Sequence, residues 1–144
     1  MEYLIHLGVL FSIFAILALS LQLVVGYTGL LSVTHAAFYG IGAYTTALLI
    51  TNLGVNFFVA LLVGVIITAV VALAVGYVLS KFRGDYYALG SLGFNVIVFS
   101  IFLNWQSVTR GPLGIPGIDR PTLLGFQFSE NIFFLILALA FLAL

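Results

Sequence analysis

Three side chains in this sequence could do chemistry away from water: His35, Tyr44 and Asn95, with Gln22 and Thr34 as polar neighbours in the same kind of apolar surroundings. An imidazole, a phenol and a carboxamide offer hydrogen bonds, and polar groups at membrane depth often mark a path for a solute. Each could instead bond the carbonyl of a neighbouring helix, which is a packing role. Catalysis has no support. His6 and His35 are 29 residues apart, and no carboxylate lies between Glu2 and Asp85, so neither a metal site nor a hydrolase set assembles. The sole lysine, Lys81, stands between Ser80 and Phe82, so the phosphate-binding Gly-Lys-Ser/Thr loop is missing. Without cysteine there are no thiolate ligands and no disulfides. The expectation is a non-enzymatic chain with no metal and no cofactor of its own.

The elements that must hold these side chains are membrane helices. Of 144 residues, 64% are hydrophobic and 6% charged, against about a quarter charged in soluble domains. Mean hydropathy is +1.33. The few charges cancel, which removes nucleic acid as a partner and leaves the lipid bilayer. The N-terminal run resembles a signal peptide only superficially. No Lys or Arg precedes it, and Tyr3 to Val25 is long enough to span a core of about 30 Å at roughly 1.5 Å per residue.

The pattern reads as an all-α, polytopic transmembrane helical bundle of four to five membrane segments with a Gly/Pro-rich external loop. After Tyr3 to Val25 come a connection at Gly26 to Ser32, a helix from Val33 to Thr51, and spans from Phe57 to Ser80 and Tyr86 to Asn104. Small residues recur every fourth position: Ser32, Ala36 and Gly40 in one segment, and Ala60, Gly64, Thr68, Ala72, Gly76 and Ser80 in the next. That spacing lets helix backbones approach closely, so both are expected to be packing surfaces. Trp105 to Ser129 holds all three prolines. Its Arg110, Gly111, Pro112, Gly114, Pro116, Gly117, Arg120 and Pro121 predict a structured loop with neither helix nor central strand over TRGPLGIPGIDRP.

Lys81 and Arg83 place residues 81–85 on the cytoplasmic side. The long loop and residues 52–56 then lie outside, and residues 26–32 inside, with the N-terminus outside, provided residues 26–51 cross rather than re-enter. Residues 1–144 read as a single transmembrane domain. The apolar run from Asn131 to Leu144 is shorter than the roughly 20 residues of a spanning helix, so the chain is expected to be a piece of a longer protein, incomplete at its C-terminus.

Three segments in order carry a family resemblance: VVGYTGLLSVTHAAFYGIGAYTTALL at 24–49, KFRGDYYALGSLGF at 81–94 and TRGPLGIPGIDRP at 109–121. The chain resembles the permease subunits of bacterial and archaeal branched-chain amino acid ABC importers, and the last two segments resemble the M-type. The resemblance implies a prokaryotic inner-membrane, multi-pass subunit. It also implies a second permease subunit, separate ATP-binding subunits that hydrolyse ATP, and an external solute-binding protein. His35, Tyr44 and Asn95 become the expected path-lining residues, and Gly111 to Pro121 the expected outer docking face. Many family members have an acidic residue shortly after Leu-Gly-Phe, where this chain has Asn95-Val96-Ile97. The family's acidic-Ala-Ala coupling segment does not occur before Leu144. Related permeases carry urea and short amides. A secondary carrier, a channel or a purely structural membrane subunit are the other readings of the residues.

Overall fold

The computed structural model describes residues 2–30, 32–118, 122–123, 126–127 and 131–143. Arg120 and Pro121, expected in the external loop, lie outside the described residues. The chain is α-helical: α1 (Glu2–Thr28), α2 (His35–Leu53), α3 (Phe57–Leu79), α4 (Asp85–Asn104), a single turn α5 (Gln106–Thr109), and α6 (Asn131–Ala143). A 3-10 turn spans Gly111–Leu113, and two-residue strands β1 (Thr122–Leu123) and β2 (Phe126–Gln127) pair antiparallel. Among the described residues, α1 from Tyr3, α3 and α4 are long and apolar enough to cross a membrane. The 19 residues of α2 carry more polar side chains, and α2 is not one of these.

Two boundaries differ from expectation. Helix α1 continues through Gly26 to Thr28 and stops at Gly29, whose φ is +64°. A helical glycine costs only about 1 kcal/mol, so Gly26 is absorbed and the left-handed Gly29 makes the break. The 3-10 turn at Gly111–Leu113 falls inside the segment expected to hold no helix. Pro112 sits at its start, where a missing N–H removes no helical hydrogen bond.

The chain divides into two compact units, Met1–Gly29 with Arg120–Leu144, and Leu30–Asp119. In the first, α1 packs on α6, and Gly8 leaves room for the Leu135 side chain. Ser12, fully buried, donates to the Gly8 carbonyl at 2.8 Å.

In the second unit α2 lies between α3 and α4. Gly54, left-handed, closes α2, and the Asn56 side chain accepts from Phe58 N at 3.1 Å to open α3. This short connection makes α2 and α3 antiparallel. Helix α4 is parallel to α2, since Val33 meets Ser91, Phe38 meets Phe94 at 5.8 Å and Tyr44 meets Phe102 at 4.5 Å. Gly42 and Gly40 are two positions apart, hence about 200° apart around the helix. Gly42 faces Thr68 of α3, and Gly40 faces the Phe102 ring of α4. Of the α3 ladder, Ala60 and Gly64 are buried, Thr68 and Ala72 half-buried, and Gly76 and Ser80 exposed. Ser32 precedes the helix instead of continuing the Ala36 and Gly40 row.

Candidate functional site

Residues 29–30 and 32–34 are not helical, yet Val33 meets α4 six residues past its start, about 9 Å along the helix. Backbone at such depth needs partners inside the protein. Ser91, with no exposed surface, supplies one: its hydroxyl accepts from Val33 N at 3.2 Å and donates to the Ala88 carbonyl at 2.7 Å. The Ser32 and Thr34 hydroxyls share a hydrogen bond of 2.7 Å. Replacing Ser91 by Ala strands the Val33 N–H, and is expected to lower stability by about 1–2 kcal/mol, read as a fall in the unfolding midpoint of the detergent-solubilised protein.

The break delivers His35 as the first residue of α2. Its Nε2 is buried and has no hydrogen-bond partner. His35 lies on the wall of an open cleft of about 720 Å³ between α2 and α3, which runs from His35 and Ala72 to Ile50 and Phe57, about 22 Å along α2. Ile118, from the proline-rich segment, also lines it. The walls are otherwise apolar or small, apart from Tyr39, Thr46 and Thr68. Both threonine hydroxyls are satisfied within their own helices, Thr46 on the Gly42 carbonyl at 2.9 Å and Thr68 on the Gly64 carbonyl at 2.8 Å. The imidazole therefore carries an unmet hydrogen-bonding demand against a mostly greasy wall. Such a wall with a few placed polar groups is the usual form of a small-molecule site.

The three side chains expected on a path do not converge. Asn95 lines a separate cavity of about 310 Å³ on the α4 side of α2, with Ala36, Ala37, Gly40 and Phe102. Tyr44 faces the same way, its ring stacked on Phe102 at 29° between planes. Thr68 was expected as a packing residue, whereas Gly42, Thr46 and Ser91 were not expected at a site. A signal existed for the first two of these, since Gly42 and Thr46 repeat the four-residue spacing on the opposite face from Gly40. Ser91 had none, because its partner is 58 residues away. Among the described residues no group of three His, Cys, Asp or Glu could hold a metal.

The proline-rich segment begins from a fixed point. Thr109, buried, donates to the carbonyl of Phe102 at 2.6 Å or Trp105 at 2.9 Å, and accepts from Gly111 N at 3.3 Å. Arg110, at φ +58°, is the one non-glycine residue with positive φ among the described residues. Gly111 follows at φ +58°, and a Cβ added there would lie 2.8 Å from the Leu103 carbonyl oxygen. Pro112, Pro116 and Gly117 are exposed, and Gly114 is half-buried.

Two curated relatives are similar: the high-affinity branched-chain amino acid transport system permease protein LivM of Salmonella typhimurium, 42% identical over 83% of this chain and 28% of the relative, and LivM of Escherichia coli, 41% identical over 88% and 30%. The chain thus spans under a third of the length of these relatives. No solved structure matches. Residues 3–144 match the family described as branched-chain amino acid transport system, permease component, and the chain belongs to that family as an M-type permease fragment.

Proposed function

We propose that this chain forms part of the translocation path of an ABC importer for branched-chain or other hydrophobic amino acids. The observation that carries the reading is the orphaned His35 Nε2 on the wall of the α2–α3 cleft. An apolar wall suits an aliphatic side chain, and one unmet imidazole nitrogen suits a polar end group. In this reading a second permease subunit completes the path, separate ATP-binding subunits hydrolyse ATP, and an external solute-binding protein delivers the solute. Asn95 and Tyr44 belong to the opposite wall of α2 and line the path with His35 only if that helix separates two compartments in turn. The subunit sits in a prokaryotic inner membrane as a multi-pass protein, with the Lys81–Arg83 turn inside and the Gly111 segment outside.

The test is uptake in the intact transporter. His35→Ala is expected to lower uptake about tenfold, the worth of one good hydrogen bond, with membrane insertion unchanged. Asn95→Leu is expected to act in the same direction. Unchanged uptake in both variants overturns the assignment, and uptake that persists after the ATP-binding subunits are deleted favours a secondary carrier.

A further inference from the structure

A third groove, of about 460 Å³, lies between α3 and α4 and belongs to neither cavity described above. Every residue lining it is apolar, including Ala74, Val78 and Phe82 on one wall and Gly90, Gly93 and Ile97 on the other. Phe82 belongs to the turn between the two helices, and Ile97 is twelve residues past Asp85, so the groove reaches about 18 Å inward from that turn. Half the roughly 30 Å hydrocarbon core is a similar distance. One extended acyl chain of a single leaflet matches it.

The mouth of the groove carries charge. Lys81 and Arg83, two of the four basic residues in the chain, flank Phe82 and are exposed. The Lys81 ammonium stands 5.3 Å from the Tyr77 ring centroid, which holds it on the flank of α3. Asp85 is nearby but occupies the first turn of α4, where the helix N-terminus offsets part of its charge. An apolar slot one leaflet deep, capped by exposed cations, has the chemistry of an anionic phospholipid site.

We propose that the α3–α4 groove binds an anionic phospholipid, with one acyl chain over Gly93 and the phosphate at Lys81 and Arg83. The experiment is native mass spectrometry of the intact permease assembly, supplied with phosphatidylglycerol and phosphatidylcholine of identical chains. Phosphatidylglycerol should be retained roughly tenfold or more over phosphatidylcholine, because each basic residue near the headgroups contributes about fivefold. The double variant Lys81→Gln, Arg83→Gln should bring the two lipids within about twofold of each other while phosphatidylcholine retention stays unchanged. Gly93→Leu should lose both lipids, since Gly93 lines the groove and a Cβ built there meets nothing within 4 Å, so the added side chain enters the groove. Equal retention of the two lipids by the unaltered assembly overturns the proposal and needs no variant to fold. Wild-type lipid retention by Gly93→Leu overturns it as well, as does a disulfide cross-link from Gly93→Cys to a cysteine placed on another protein helix.

Discussion

Replacing Gly64 by Leu is expected to separate α2 from α3 and to cost about 3 kcal/mol, the upper end of overpacking penalties. A Cβ at Gly64 would stand 2.6 Å from Thr46 Oγ1 and 3.2 Å from the Gly42 carbonyl oxygen. The first contact is with a branched side chain and the second with backbone, so the helices must move apart. Gly42 closes the crossing from the other side, where an added Cβ would meet Thr68 Oγ1 at 3.2 Å. Gly64→Ala should cost about 1–2 kcal/mol, and Thr46→Ala in the same chain should recover part of it by removing the nearer obstacle. Gly76→Leu, three ladder steps along at a place where an added Cβ meets nothing within 4 Å, should not lower stability and should raise it by up to about 1 kcal/mol through helix propensity. The measurement is the unfolding midpoint of the solubilised protein. Equal effects at Gly64 and Gly76 would mean that the crossing is not where the helices hold together.

Gly111→Ala should be nearly as damaging, at about 3 kcal/mol, through two causes at one atom. The left-handed φ of +58° costs an L-residue roughly 1–2 kcal/mol. The new Cβ would also lie 2.8 Å from the Leu103 carbonyl oxygen, a backbone atom at the end of α4 that cannot rotate away. Loss of this turn should release the Thr109 hydroxyl from Gly111 N and open the segment that follows. Limited proteolysis should then cut between residues 105 and 118 much faster than in the unaltered protein. Arg110→Gly should act oppositely and stabilise by about 1 kcal/mol, since Arg110 adopts φ +58° despite its side chain. Unchanged proteolysis in Gly111→Ala would show that the turn does not organise the segment.

Helix existence was legible because apolar length is a property of contiguous residues. The spans read at Phe57 to Ser80 and Tyr86 to Asn104 appear as Phe57–Leu79 and Asp85–Asn104. The ladder on α3 was legible too, and its Ala60 and Gly64 are buried where it meets α2. What periodicity does not contain is which face of α2 meets which neighbour. The Ala36 and Gly40 row meets α4, and the seam with α3 is made by Gly42 and Thr46. The separation of His35 from Tyr44 and Asn95 was hidden for the same reason: it depends on the rotation of α2 between two helices that the chain reaches later. The Val33 to Ser91 bond was out of reach because a serine accepting a backbone N–H leaves no local mark in sequence. The match of residues 3–144 to the permease family agrees with the resemblance seen in three ordered segments.

The α2–α3 seam has a thermodynamic consequence. Gly42, Gly64 and Ala60 have no side-chain rotamers to freeze, so bringing these surfaces together loses almost none of the entropy that a crossing of leucines would. Thr46 and Thr68 bond carbonyls of their own helices and keep those bonds when the helices part. What holds this seam is dispersion between smooth backbones, which changes gradually as one slides past the other. Sliding α2 along α3 by a fraction of a turn would break none of these hydrogen bonds and trap no rotamer, giving the wall that carries His35 a low-friction bearing.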